Sequence, residues 1–92
     1  MAVRLVVSMD PAPGKREELK AAFASLCPSV REEPGCEQYE MFQSIEHPDR
    51  LILLEKWTDQ KALAVHIERL RERGHDMSSL RVGRPQVERY EG

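Results

Sequence analysis

The stretch from Glu33 to His66, EPGCEQYEMFQSIEHPDRLILLEKWTDQKALAVH, decides the fold of this chain. It contains a Pro-Gly turn, two segments with strand patterns separated by turn residues, and a capped helix that carries a histidine. One strand and one helix are predicted before this stretch, and a helix end and one strand after it. The chain is therefore interpreted as a single domain, residues 1–92, with the order β-α-β-β-α-β.

Two segments of this stretch show the side-chain alternation of β-strands. They run from Cys36 to about Ile45 and from Arg50 to Trp57, and the turn residues His47-Pro48-Asp49 separate them. The expected faces of the first strand are Tyr39 and Met41 on one side and Cys36, Gln38, Glu40 and Phe42 on the other. The second strand is apolar on both faces, which is typical of a strand that is central or covered on both sides.

The chain before Glu33 predicts one strand and one helix. Val3 to Met9 is apolar and rich in β-branched residues, so it is expected to be a strand. Lys15 to about Glu32 has the periodicity of an amphipathic helix. The apolar face of this helix is formed by Leu19, Ala22, Phe23, Leu26 and Val30. Pro28 predicts either a kink or the end of the regular helix near Cys27.

The chain after Trp57 predicts a second helix and a last strand. Thr58-Asp59 is a good N-cap pair, and Gly74 is a suitable C-terminal residue. The expected apolar stripe of the helix consists of Leu63, His66, Ile67 and Leu70. A short turn is expected from Asp76 to Leu80. The last strand is expected from Val82 to Tyr90, where Pro85 requires an edge position or a bulge.

This order of elements predicts a ferredoxin-like α+β sandwich, in which two helices cover one face of a four-stranded antiparallel sheet. The other face of the sheet retains apolar side chains. A chain of 92 residues is also too short to bury a large core alone. We therefore expect a homodimer in which two sheets pack face to face and form a dimeric α/β barrel.

Composition excludes several classes of protein. The net charge is −2, with 14 basic and 16 acidic residues interspersed, so no basic surface for nucleic acid is expected. No stretch approaches the roughly 20 apolar residues of a membrane helix, and the N-terminus lacks the pattern of a signal peptide. A cytoplasmic location with reduced Cys27 and Cys36 is therefore expected.

Metal and nucleotide sites are not expected either. His47, His66 and His75 lack the spacing of metal ligands, and neither cysteine has a close Cys or His partner. His47 and His75 are interpreted as surface residues. No glycine-rich phosphate loop follows a strand. The prediction is therefore a protein with no metal and no cofactor.

The pattern EPGC…Y…P…L…EKW.D..AL..H resembles the antibiotic biosynthesis monooxygenase domain, a dimeric α/β-barrel family. The residues that carry the resemblance are Glu33, Pro34, Gly35, Cys36, Tyr39, Pro48, Glu55, Trp57, Asp59, Ala62, Leu63 and His66. Pro13-Gly14 before the first helix fits as well. The resemblance covers nearly the whole chain, and it is more specific for the domain than for a substrate.

The resemblance implies a homodimer with a pocket between sheet and helices in each subunit. Characterised members oxidise polycyclic phenols or quinols with O₂ and no cofactor, some relatives degrade haem, and others act on small signalling molecules. The haem-degrading branch resembles an Asn, Trp and His constellation. This chain supplies Trp57 and His66 but contains no asparagine, so productive haem turnover is not expected.

Cofactor-free oxygenation requires a substrate that becomes an electron-rich anion, and hence a base in an apolar pocket. His66 is the candidate base, since an unperturbed histidine has a pKa near 6.5; the alternative is a structural role in the helix stripe. Trp57 is the second candidate catalytic residue. It is expected either to form a pocket wall that hydrogen-bonds a substrate oxygen or to be a large core residue.

Three further residues are candidates for substrate binding. Glu55 shares a strand face with Trp57, Tyr39 offers a hydroxyl, and Arg84 offers a cation for an oxyanion. The alternatives are an ion pair with an arginine for Glu55, a filling role for Tyr39 and surface charge for Arg84. The leading hypothesis is a cofactor-independent monooxygenase that oxidises a small aromatic phenol or quinol. The alternative is a non-enzymatic barrel that binds a small hydrophobic ligand.

Overall fold

The computed structural model describes residues 1–74 and 77–92. The elements within them are β1 (Val3–Met9), α1 (Arg16–Arg31), β2 (Cys36–Gln43), β3 (Leu51–Trp57), α2 (Gln60–Arg73) and β4 (Gln86–Glu91), with a 3₁₀ turn (Ser78–Leu80) before β4. The predicted order of elements is therefore confirmed. The surface position predicted for His75 and the start of the turn predicted at Asp76 lie outside the described residues.

The four strands form one antiparallel sheet in the order β2-β3-β1-β4. The apolar strand β3 is central, as its two-sided pattern predicts, and β2 and β4 are the edges. Pro85 directly precedes β4, where its missing N–H removes no ladder bond from the interior of the sheet. The ferredoxin-like α+β fold is confirmed.

The core lies between the sheet and the helices. Its strand side chains are Val3, Val7, Met9, Tyr39, Leu51, Leu53 and Trp57, and its helix side chains are Leu19, Phe23, Leu26, Cys27, Val30 and Leu63. Burying one large apolar side chain of this kind contributes about 1.5–3 kcal/mol, so this face of the sheet is where most of the apolar stabilisation arises. Glu33, Glu55 and His66 are buried polar residues at the same face.

The prediction that Cys36 lies on the same strand face as Gln38 is wrong. A register shift between Cys36 and Gln38 pairs Cys36 with Trp57 and Gln38 with Lys56. This bulge adds one residue, so Cys36 turns to the core face while Gln38 remains on the opposite one. Alternation alone does not reveal an inserted residue, because the bulge changes the phase without changing the residue types.

The first helix has the expected extent, and of the two outcomes expected at Pro28 an end near Cys27 is not seen: α1 continues through Pro28 to Arg31, because Cys27 and Val30 on either side are buried in the core. Two expected strand boundaries differ from the structure. β2 ends at Gln43, and Ile45 in the following turn is fully exposed. β4 begins at Gln86, after Pro85 rather than before it.

The second helix has the expected ends but a narrower apolar stripe. The side chain of Asp59 accepts a 2.9 Å hydrogen bond from the backbone N–H of Ala62, and Gly74 adopts the left-handed conformation at the other end. Leu63 and His66 are buried. Ile67, which was expected in the stripe, is 43% exposed, because α2 contacts the sheet along a line that passes beside this position.

Among residues 1–74 and 77–92, no helix packs on the face of the sheet opposite α1 and α2. Val6, Ile52 and Leu54 are half-buried there, and Phe42 and Tyr90 on the edge strands are exposed. We call this surface the open face. Within residues 1–74 and 77–92, no helix is long and apolar enough to cross a membrane.

Candidate functional site

The site is built on two neighbouring strands. Tyr39 on β2 and Glu55 on β3 are direct cross-strand partners, so their side chains stand on the same face. Trp57 follows two residues after Glu55 and therefore shares that face. The indole N–H of Trp57 donates a 3.0 Å hydrogen bond to Oε1 of Glu55. The register of the sheet thus brings together three of the side chains that the sequence singled out.

His66 reaches this group from α2. Its ring stacks on the indole of Trp57 with centroids 4.6 Å apart, and the Tyr39 ring meets it edge-on at 5.3 Å. His66 Nε2 lies 4.0 Å from Oε1 of Glu55. The structure therefore places Trp57 and His66 in contact, with the His66 side chain only 2% exposed.

Glu33 holds the other side of the imidazole and was missed as a site residue. His66 Nδ1 lies 3.2 Å from Oε1 of Glu33, the geometry of an N–H donating to a carboxylate. Arg69 and Arg73 lie 3.8 and 4.0 Å from the same carboxylate. Within the described residues, Oε2 of Glu33 is buried without a hydrogen-bond partner. No local sequence pattern signals the contact of Glu33 with His66, because the two residues are 33 positions apart.

The surroundings of these side chains shift their pKa values. Burial lowers the pKa of His66, the nearby Glu33 carboxylate opposes that shift, and Arg73 and Arg69 add to it. Burial raises the pKa of Glu55, the Trp57 hydrogen bond lowers it and the charge of Glu33 raises it. Burial also raises the pKa of Tyr39. The lowered pKa favours a neutral His66 ring, and the raised pKa makes the Glu55 carboxylate a stronger base than an ordinary one.

A cavity of about 210 Å³ opens beside Tyr39 and Glu55 between the sheet and the helices. We call it the helix-side cavity. It is lined by Val7, Met9, Phe23, Leu26, Tyr39, Leu53, Glu55, Leu70, Met77, Arg81 and Pro85. Trp57 and His66 are absent from this lining and lie behind Glu55. Of the four side chains Tyr39, Glu55, Trp57 and His66, the first two therefore line the cavity, and the other two contact Glu55 from outside its lining.

Arg84 does not belong to this cavity. It lines a separate cavity of about 510 Å³ that also contains Ser8 and Ile52 of the open face, together with Met9, Asp10, Arg50 and Gln86. The cation at the helix-side cavity is instead Arg81, which sequence reasoning missed. Arg81 follows the 3₁₀ turn and bridges to Pro11, a pairing that no local sequence pattern signals.

In the described part of the chain, neither the cysteines nor the residue types that bind metals form a second site. Cys27 and Cys36 are free thiols, and burial raises the pKa of each. Among the described residues, no group of three His, Cys, Asp or Glu side chains has the arrangement of a metal site. The expected ion pair of Glu55 with an arginine is also not seen in the described part of the chain, where Trp57 and His66 occupy that position.

Comparison with known proteins identifies relatives of this architecture. Residues 2–69 match the model of the family described as antibiotic biosynthesis monooxygenase. The Bacillus subtilis protein YcnE, a candidate monooxygenase by its name, is 38% identical over 56 residues, which are 61% of this chain and 59% of that protein. The matched segment thus spans less than two thirds of the length of YcnE.

Solved structures extend the similarity to nearly the whole chain. A Shewanella oneidensis protein is 35% identical, with a TM-score of 0.85 over 97% of this chain and 88% of that one. A conserved Methanosarcina mazei protein is 28% identical, with a TM-score of 0.88 over 98% and 91%. A Nitrosomonas europaea protein, named as a candidate antibiotic biosynthesis monooxygenase, is 23% identical, with a TM-score of 0.88 over 99% and 89%. This last similarity shows the fold alone.

Proposed function

Because this chain belongs to the antibiotic biosynthesis monooxygenase family, we propose that it oxidises a small aromatic phenol or quinol with O₂ in the helix-side cavity. The observation that carries the proposal is the carboxylate of Glu55. It is buried, it is hydrogen-bonded to Trp57, and it lines a cavity whose other walls are mostly apolar. A mostly apolar pocket with a buried carboxylate is an arrangement suited to proton abstraction from a phenolic hydroxyl.

In the proposed reaction Glu55, rather than His66, is the base. Oε1 of Glu55 accepts the indole N–H, so Oε2 is the oxygen left for a substrate hydroxyl. A carboxylate with a raised pKa is a stronger base than an ordinary one. The Tyr39 hydroxyl has no hydrogen-bond partner within residues 1–74 and 77–92, so it is available to donate to the developing phenolate.

The chemistry needs no reductant besides the substrate. Once the quinol has lost a proton, its anion gives an electron to O₂, and recombination forms a carbon–oxygen bond. One oxygen atom stays on the ring and the other leaves as water, so a quinol and O₂ give a hydroxyquinone and water. The protein supplies the base, the hydroxyl of Tyr39 and mostly apolar cavity walls for the ring.

Oxygen uptake tests this proposal. A panel of quinols and phenols is offered to the purified protein in an oxygen electrode. Glu55→Gln keeps the shape of the side chain and the acceptor for Trp57 but removes the base, so uptake should fall by roughly 10²–10⁴-fold. Glu46→Gln, an exposed carboxylate in the turn between β2 and β3, is the matched control and should keep full activity. Equal uptake by Glu55→Gln and the unchanged protein would exclude Glu55 as the base.

The second candidate function is ligand binding without turnover. The observation that favours it is His66, which is buried and hydrogen-bonded to Glu33 rather than exposed in the cavity. Under this alternative, small phenols bind in the cavity and no compound of the panel produces oxygen uptake above the rate in buffer.

We also propose that the working unit is a homodimer joined through the open face. The half-buried Val6, Ile52 and Leu54 form an apolar strip across two neighbouring strands that no helix of the same chain covers. In a two-fold dimer, the apolar strip of one copy packs against the same strip of the second copy, so each covers the other. Each subunit then keeps its own helix-side cavity on the far side of its sheet.

A further inference from the structure

The helix-side cavity is lined by a carboxylic acid, Glu55, toward one end and by a cation, Arg81, toward the other. Glu55 pairs through the sheet with Tyr39 of β2 and Leu5 of β1, whereas Arg81 bridges to Pro11 beyond the end of β1. Val7 and Met9, which lie between these two points along β1, also line the cavity. Glu55 and Arg81 therefore line the cavity toward its two opposite ends.

Arg81 is held toward the cavity with much of its hydrogen-bonding capacity free. Its Nε donates a 3.2 Å hydrogen bond to the carbonyl of Gly83, which fixes the guanidinium plane. Within the described residues, no carboxylate lies within ion-pair distance of Arg81. Its two terminal nitrogens are therefore available as a fork for a planar anion such as a carboxylate.

The space between the two ends is small and apolar. Val7, Phe23, Leu26 and Leu53 are among its walls, and its volume is about 210 Å³. Pockets for drug-sized ligands usually hold about 300–1,000 Å³, so this one suits a smaller molecule. A single aromatic ring fits the apolar walls, with one polar group at each end.

From these features we infer that the cavity selects a single-ring hydroxyaromatic acid, whose hydroxyl faces Glu55 and whose anionic group binds Arg81. This inference rests on the proposed function, because it places the reacting hydroxyl at Glu55. It narrows the substrate class from phenols and quinols in general to those that carry a carboxylate or a similar anion away from the hydroxyl. An anion at Glu55 itself is disfavoured by like-charge repulsion, which fixes the orientation of the ligand.

Binding of two probes without turnover tests the inference. 4-Hydroxybenzoate and phenol are titrated separately into the protein under anaerobic conditions, and dissociation constants are measured from amide shifts in NMR spectra. We expect 4-hydroxybenzoate to bind at least about tenfold more tightly than phenol, since the two differ in the carboxylate. Arg81→Gln should remove this preference and leave phenol binding unchanged. Arg81→Lys, which keeps the charge but loses the fork, should retain part of it.

Arg84→Gln is the matched control, because Arg84 lines the separate cavity at the open face. It should keep the full preference. The inference is overturned if the two probes bind equally, if neither binds, or if Arg84→Gln removes the preference while Arg81→Gln keeps it. Failure of the proposed function looks different: the anion preference is then present, but no quinol acid consumes oxygen. Oxygen uptake with uncharged quinols and no effect of the anion would overturn this inference alone.

Discussion

Trp57 and Glu55 are joined by a 3.0 Å hydrogen bond between the indole N–H and Oε1, across two residues of one strand face. Both side chains are buried, so this bond is made where competing water is excluded. The indole thereby satisfies one carboxylate oxygen and leaves the other for the cavity. The relationship explains how a carboxylate is retained on a core face of the sheet, where it would otherwise be unpaired.

The first prediction concerns the charge of Glu55 and the stability of the fold. Because the pKa of Glu55 in the fold lies above its ordinary value of 4.5, the folded chain holds this proton more tightly than the unfolded chain. The stabilisation is therefore present below pH 4.5 and is lost as the pH rises through the raised pKa. Glu55→Gln, which stays neutral, should raise the melting temperature at pH 8 and change it little at pH 4.

Thermal unfolding at a series of pH values between 4 and 8 checks this. Glu46→Gln provides the reference, since its carboxylate is exposed in the turn between β2 and β3 and its neutralisation should shift the curve only slightly. If Glu55→Gln has a lower melting temperature than the unchanged protein at pH 8, the neighbouring groups stabilise the charged carboxylate more than we infer.

The second prediction is that His66 supports the fold. His66→Ala removes a buried ring, leaves a cavity beside Trp57 and deprives the Glu33 carboxylate of its N–H donor. The free energy of unfolding should fall by about 3 kcal/mol or more. His47→Ala, at an exposed turn, should change it by less than about 0.5 kcal/mol.

Urea denaturation of both variants gives these values, and oxygen uptake is measured alongside. If His66→Ala keeps its stability and loses only activity, His66 acts in the reaction, as the sequence hypothesis had it, and the assignment of the base to Glu55 is wrong.

The fold was predictable because most of its signals are local. The strand β1 is seen at the predicted bounds, Asp59 caps α2, and Gly74 ends that helix with φ 66°. The deviations arise where tertiary contacts decide. The core contacts of Cys27 and Val30 carry α1 past Pro28, and the docking of α2 leaves Ile67 at the edge of its stripe.

The site was predictable only in part. The strand pattern predicts that Glu55 and Trp57 share a face, and the structure brings Tyr39 and His66 to them. The strand pattern alone does not show which of these side chains faces the cavity, since that depends on how α2 lies over the sheet. Glu33 and Arg81 were missed because their positions follow from contacts distant in sequence, with His66 and with Pro11.

The third prediction concerns Gly35, which adopts φ +82° in the turn before β2. A Cβ at this position would lie 2.5 Å from the Cβ of Ala62 and 2.9 Å from Oγ1 of Thr58. Gly35→Ala therefore combines backbone strain with a clash against the first turn of α2. Gly14→Ala is the matched control, because Gly14 has φ +75° but no atom within 4 Å of a Cβ.

Gly14→Ala should destabilise the protein by about 1–2 kcal/mol through its backbone alone. Gly35→Ala should cost about 1–3 kcal/mol more, since α2 has to move to make room. Denaturant unfolding of the two variants separates the contributions. Equal losses of stability in the two variants would mean that α2 moves away from the added methyl group at position 35 with no loss of free energy.

The fourth prediction is the homodimer. Sedimentation at micromolar concentration should give twice the mass of the 10.6 kDa chain. Leu54→Glu places a charge in the middle of the open face and should shift the protein to the monomer, because a buried interface does not accommodate an unpaired carboxylate. Val65→Glu makes the same change on the exposed side of α2 and should leave the mass unchanged. A monomeric unchanged protein would contradict the proposed assembly.

The last prediction concerns Trp57→Phe and the charge of Glu55. Phenylalanine keeps an aromatic ring against His66 but removes the indole N–H that donates to Glu55. Since this hydrogen bond favours the charged carboxylate, its loss should raise the pKa of Glu55 further. The base is then protonated over a wider pH range, so the pH at which oxygen uptake is half-maximal should move upward. The pKa itself is measured from the ¹³C signal of the Glu55 carboxyl, which is assigned by its absence in Glu55→Gln. A pKa that stays constant or falls in Trp57→Phe would show that the indole positions the carboxylate without controlling its charge.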